Sequence, residues 1–174
     1  MDGSHTIQRC DDVTSVVLHE VFHALFEHCI RLEGMLLKPN MVISGKNCPQ
    51  QASVEDVAEA TLRCLRRHVP AAVPGIVFLS GGQSDVLATM HLNAINKLDL
   101  PKPWKISFSY GRAIQDSAME VWKGKQQNVK AGQDTFYHRA KCNSAASNGT
   151  YTSDMEGQKS VSEVPAHRLE WHDD

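Results

Sequence analysis

Between residues 12 and 30 the apolar side chains Val16, Val17, Val21, Leu25 and Ile30 recur at helical spacing, with Leu18, Phe22, Phe26 and Cys29 beside them. This predicts a helix with a broad buried face. Gly34 breaks the pattern, and the short apolar run 35–38 is stopped by Pro39, which has no N–H to give a ladder, so it reads as a short buried strand. Ser53 followed three residues later by Asp56 resembles a capping box and opens a second helix through Val57, Ala60, Leu62 and Leu65 to near His68. Pro70 and Pro74 then enforce a loop.

The clearest strand is 75–79, β-branched and aromatic, too short for a helix, running straight into Ser80-Gly81-Gly82. Ser84 and Asp85 can cap a third helix as far as Lys97, after which Pro101 and Pro103 mark another loop. Residues 104–110 alternate like a strand and break at Gly111. A short helix from about 112 to 122 and another from about 126 to 147 follow. Beyond Asn148 the composition turns to Ser, Thr, Gly, Asp and Glu without periodicity, as in a frayed tail.

Helices alternating with strands imply parallel strands joined by right-handed crossovers, in a doubly wound sheet or an arc of a (β/α) barrel. Three such strands leave two open edges and need cover on both faces. The length of 174 residues allows one ordinary domain or a piece of a larger one. Eighteen Lys and Arg against 20 Asp and Glu give a formal net charge of −2, which argues against a nucleic-acid binder. No apolar run approaches the roughly 20 residues of a membrane-spanning helix. The polar, acidic opening lacks the pattern of a secretory signal, so a cytoplasmic location is expected. Five cysteines at wide, uneven spacing, with no C-x-x-C pair, read as scattered reduced thiols.

In parallel α/β folds the C-terminal strand ends point into the ligand crevice, and three such ends here carry polar groups. Lys38 is the only charge in MLLKPNMV. A lysine partly desolvated at a strand end is a nucleophile toward a carbonyl carbon; the plain alternative is a side chain snorkelling to water. Ser80-Gly81-Gly82 lets backbone N–H groups approach an anion at the start of a helix, or is merely a turn requiring positive φ. Ser109-Tyr110-Gly111-Arg112 repeats the arrangement with a guanidinium that can grip phosphate in two places. Two successive strand ends of this kind match the phosphate site that (β/α) barrels often build.

A rival motif is His19-Glu20-x-x-His23, which on a helix sets two imidazoles one turn apart for zinc, with the glutamate as general base. Val21, Phe22, Leu25 and Phe26 share that helix, and no G-x-x-H follows to supply a third ligand. A chance match is the more economical reading, and no metal is assigned.

The segments LEGMLLKPNMV, VPAAVPGIVFLSGGQS, LNAINKL and PWKISFSYGRA, in this order, closely resemble class I fructose-bisphosphate aldolase. The resemblance runs from about residue 3 to about residue 147 and covers the carboxyl-side part of the family's barrel. It implies an α/β fold, a partial (β/α)8 TIM barrel of about strands six to eight over 1–147; the composition of 148–174 marks that stretch as a disordered tail. The resemblance further implies cleavage of fructose 1,6-bisphosphate to dihydroxyacetone phosphate and glyceraldehyde 3-phosphate, in glycolysis, by a cofactor-free homotetramer. Lys38 falls on the Schiff-base lysine. Ser80, Gly81 and Gly82 fall on one phosphate loop, and Ser109, Gly111 and Arg112 on its partner. The family's proton-transfer glutamate and further substrate lysines precede the matched part, so these 174 residues alone are expected to turn over little. The closing residues 168–174 resemble nothing in the family. The remaining alternative is a non-catalytic sugar-phosphate-binding or assembly module pairing its open strand edges with another chain.

Overall fold

The computed structural model describes residues 1–157. Helix α1 (Ile7–Glu27) starts at Thr6, whose hydroxyl accepts from the Arg9 N–H, five residues before its apolar periodicity sets in. It leads to strand β1 (Leu36–Leu37), helix α2 (Val54–His68), strand β2 (Gly75–Phe78), helix α3 (Asp85–Lys97) and strand β3 (Lys105–Phe108). Helices α4 (Arg112–Trp122) and α5 (Val129–Ser147) follow, and a short helix α6 (Asp154–Gly157) closes the described part. Each boundary has a local cause. The Ser53–Asp56 capping box is formed in both directions, Ser84 caps α3 by accepting from the Leu87 N–H, and Gly111 stands at the cap of α4.

The strands form one parallel sheet in the order β1-β2-β3, with Leu37 level with Ile76 and Ile76 level with Ile106. Pairing runs past the strands proper, since the Leu79 N–H donates to the Pro39 carbonyl and the Ser109 N–H to that of Phe78. Alternation therefore sends Leu37, Ile76, Phe78 and Ile106 to one face and Leu36, Lys38 and Lys105 to the other. The first face meets the helices, and Ile76 and Phe78 lose all contact with solvent. With Leu62, Leu65, Val57, Leu92 and Ile95 from α2 and α3 they make the core. The second face is open among the described residues, with Leu36 62% exposed.

Three expectations are corrected here. Strand β1 is not buried, because it is an edge strand with one neighbour. Helix α1 does not have a broad buried face: it packs on α2 through Asp11, Thr14 and Leu18, while Val16, Val17, Val21 and Phe26 face outward. The stretch expected to fray from Asn148 is folded as far as Gly157. The Thr150 N–H donates to the Ala145 carbonyl, and Tyr151 is buried with its N–H on the Asn93 side chain. The rest of that expectation, residues 158–174, lies outside the described residues. The thiols are free, as expected.

Removing the Leu62 side chain from this closed core (Leu62→Ala) should cost about 2–5 kcal/mol. Ser53→Ala, which deletes only a cap, should cost about 1 kcal/mol. Urea unfolding curves of the two variants measure the difference.

Candidate functional site

The parallel register brings the C-terminal ends of β1, β2 and β3 to the same end of the sheet. After β2 the chain turns through Gly81 and Gly82, both at positive φ (59° and 82°), before α3 begins. That geometry is strained for any residue with a Cβ. A Cβ on Gly81 would also land on the Met1 sulfur. At Gly82 a Cβ would lie 3.6 Å from both terminal nitrogens of Arg112, so the guanidinium from the start of α4 sits directly beside the bare loop.

Together these elements line a cleft of about 290 Å³, whose walls include Gly81, Gly82, Arg112, Ser44 and Lys46. Backbone of positive φ at a helix start, a guanidinium and an ammonium make an anion-binding surface. The two predicted anion loops therefore meet. Of the residues expected there, Gly81, Gly82 and Arg112 line the cleft; Ser80 is buried beneath the loop, and Ser109 and Gly111 stand behind Arg112 at the tip of β3.

Lys38 lies deeper, level with Val77 by register, and belongs to the open face. The sequence reading has it partly desolvated; it is exposed. The reason is its strand, which carries no neighbour on its outer edge, on a sheet face that the described residues leave uncovered.

Three side chains that sequence reasoning passed over hold the loops in place. Gln83 donates from Nε2 to the Ser80 carbonyl at 2.9 Å, closing the turn from inside, while its Oε1 meets His91 Nδ1 at 2.6 Å. Since the amide nitrogen is already donating, Oε1 must accept, which places the imidazole proton on Nδ1. His91 is buried on α3, and burial lowers its pKa from 6.5 to about 4, so it is a neutral donor at ordinary pH. Tyr110, beside Arg112's loop, reaches across to donate its hydroxyl to the Ala88 carbonyl of α3 at 3.0 Å, and burial raises its pKa. Gln83 and Tyr110 stand inside the quoted motifs, whereas His91 shows only as one polar residue in an apolar helix. Lys46 gave no signal beyond its charge.

The His19–His23 motif lies on the outer side of α1. Both imidazoles are exposed, and His23 faces Glu27 at 3.6 Å. The one group of three metal-capable side chains among the described residues lies elsewhere.

A family model described as fructose-bisphosphate aldolase class-I matches residues 1–169. The chain belongs to that family. The match reaches past residue 147, as far as residue 169. Fructose-bisphosphate aldolase B of Gallus gallus is 55% identical over 152 residues, which is 87% of this chain and 42% of that protein. Fructose-bisphosphate aldolase 5, cytosolic, of Arabidopsis thaliana is 54% identical over 162 residues, 93% of this chain and 45% of that protein. The chain thus spans less than half the length of these relatives. A ternary co-crystal structure of fructose-bisphosphate aldolase from Plasmodium falciparum, in complex with TRAP and a small-molecule inhibitor, superposes with a TM-score of 0.84 at 49% identity. It does so over 87% of this chain and 44% of that one. The α/β fold is therefore of the TIM-barrel type, and the helix-backed parallel sheet is consistent with part of such a barrel. No helix among the described residues is long and apolar enough to cross a membrane.

The buried neutral His91 makes a pH prediction for this family member. Below pH 6.5 the unfolded chain takes up a proton that the folded chain refuses until about pH 4. Stability present above 6.5 should therefore fall progressively between those values. His91→Asn, which keeps a donor for Gln83 but cannot titrate, should flatten that part of the profile. Urea midpoints measured from pH 7 to pH 4 in both proteins provide the check.

Proposed function

We propose that the chain carries the Schiff-base and phosphate-gripping portion of a fructose-bisphosphate aldolase, equivalent to about strands six to eight of the barrel. The observation that carries this reading is the juxtaposition of Gly81, Gly82 and the Arg112 guanidinium at the strand ends, with Lys38 at a lower level of the same sheet. The Cα of Lys38 lies three residues below the level of Ser80, about 10 Å along the strand direction at 3.3 Å per residue. A lysine side chain spans much of that distance. A phosphorylated ketone held by its phosphate at the rim would thus present its carbonyl downward to the amine.

In the proposed reaction the Lys38 amine adds to the C2 carbonyl of fructose 1,6-bisphosphate. Loss of water leaves an iminium, and the C3–C4 bond electrons flow into it when glyceraldehyde 3-phosphate departs. The resulting enamine takes a proton at C3, and water releases dihydroxyacetone phosphate. The amine itself becomes the electron sink, so no cofactor is called for. Ser80, Gly81, Gly82, Ser109, Gly111 and Arg112 hold phosphate in this scheme. The cytoplasm, glycolysis and a homotetramer belong to the same proposal, by analogy with the family.

The exposure of Lys38 favours a second reading, in which these residues bind sugar phosphate without chemistry.

Incubation with dihydroxyacetone phosphate and borohydride separates the two readings. The first requires one covalent adduct on the peptide containing Lys38, abolished in Lys38→Met and reduced at least tenfold in Arg112→Ala. A folded sample with phosphate affinity and no adduct would establish the second. In a coupled assay, these 174 residues by themselves should be slower than a full-length relative by at least about 10²–10⁴-fold, the contribution of one acid–base group. Full aldolase rates would contradict that.

A further inference from the structure

On α5, His138 and Cys142 stand one helical turn apart, and α6 brings Glu156 over them. The Cys142 sulfur is 3.6 Å from His138 Nε2, and the same nitrogen is 3.5 Å from Glu156 Oε2. All three donor atoms lie within 4.8 Å of one another. A tetrahedral zinc with bonds of about 2.0–2.3 Å to sulfur, nitrogen and oxygen would separate neighbouring donors by roughly 3.4–3.6 Å. Two of the three edges already have that length.

We propose that His138, Cys142 and Glu156 bind one zinc ion, clipping α6 to α5, with the fourth position left to water or an outside ligand.

The surroundings suit such an ion. Tyr151 donates its hydroxyl to Glu156 Oε1 at 2.8 Å, which orients the carboxylate and leaves Oε2 toward the imidazole and sulfur. Arg139 also touches Oε2, at 2.5 Å, but it does not depend on that contact. Its other terminal nitrogen donates to Thr89 Oγ1 at 2.7 Å and to the Asp85 carbonyl, and its Nε lies 3.8 Å from the Asp85 carboxylate. A dication with one thiolate, one carboxylate and a neutral imidazole is electrically balanced, and Arg139 remains balanced by Asp85. Cys142 is wholly buried, while His138 and Glu156 each keep about a fifth of their side-chain surface, so an ion can enter from their side. Burial and the Glu156 charge favour the protonated form of the free thiol. Binding would transfer that proton to solvent as the Zn–S bond forms.

This site is distinct from the His19–His23 pair and is invisible in the sequence. His-x-x-x-Cys supplies only two ligands, and the third falls in the stretch where composition suggested no structure.

Cobalt(II) titrated into the reduced full chain reports the site directly, because a Co–thiolate bond gives an intense near-ultraviolet charge-transfer band. The band should saturate at one equivalent and vanish on adding zinc. It should be lost in Cys142→Ser, and the apparent affinity should drop at least tenfold in His138→Gln. The removal of the outer hydroxyl in Tyr151→Phe should weaken affinity by about 10–100-fold. His19→Ala/His23→Ala should leave band and stoichiometry unchanged. Absence of the band in the wild-type chain overturns the proposal, as does a band that survives in Cys142→Ser or disappears with His19 and His23. His138→Gln changes a partly exposed side chain and keeps the test sound if Cys142→Ser does not fold.

Discussion

Parallel strand pairing, backed among the described residues by helices on one face only, is the constraint from which the rest of this structure follows. Because β1, β2 and β3 run the same way, their C-terminal ends and the helices that follow must all emerge at one end of the sheet. Because Ile76, Phe78 and Ile106 are pressed into α2, α3 and the neighbouring helices, the strands cannot slip by one residue without turning those side chains out of the core. The register that buries them simultaneously sets Lys38 on the opposite face and brings the two glycine-containing turns together. Core packing and site geometry are thus one and the same choice.

Register alone would not hold two loops in contact, and a polar network does this above the sheet. Asp85, the first residue of α3, accepts at its carboxylate from Ser117 of α4 at 2.6 Å, and its backbone carbonyl accepts from Arg139 of α5. Thr89 lies one turn on and meets both Arg139 and Asn143. The start of α3, which follows the first anion loop, is therefore tied to the body of α4, whose first residue is Arg112. Tyr110 adds a second tie, from the tip of β3 to α3. Buried hydrogen bonds of this kind are strong in a low dielectric and costly to break singly, which favours one fixed spacing between the loops. The Gln83–His91 pair does the same for the turn itself, with burial favouring the neutral imidazole.

Much of this was legible in the sequence because local rules and tertiary needs agree. The capping box at Ser53, the strand ending in Ser80-Gly81-Gly82, and Gly111 opening a helix each announce their structure by residue type, and the family motifs run through the same residues. Tertiary context decided the rest. The apolar stripe of α1 signals burial, yet only Leu18 and its neighbours meet α2. Lys38 sits at the end of an apolar run, yet that run is an edge strand. Tyr151 and Glu156 belong to a stretch without periodicity, but a single buried ring, a few turn hydrogen bonds and the Arg139 ion pair fix its path. No periodic signal reports contacts of that kind.

The open face bears directly on how the lysine could work. An amine becomes a nucleophile when its charged form is disfavoured, by removal from water or by nearby positive charge. Among the described residues Lys38 is exposed: its strand lacks an outer neighbour, Leu36 and Lys105 on the same face are exposed, and the cleft lies at the rim above. The cleft at the rim, by contrast, draws on several elements: Gly81 and Gly82 follow β2, Arg112 opens α4, and Ser44 and Lys46 come from the segment between β1 and α2. On the proposed reading, the anion cleft and the lysine therefore belong to different levels of the same sheet. The chain spans less than half the length of these relatives, and on the proposed reading the cleft at the rim and Lys38 on the open face are the two ends between which a phosphorylated ketone would lie.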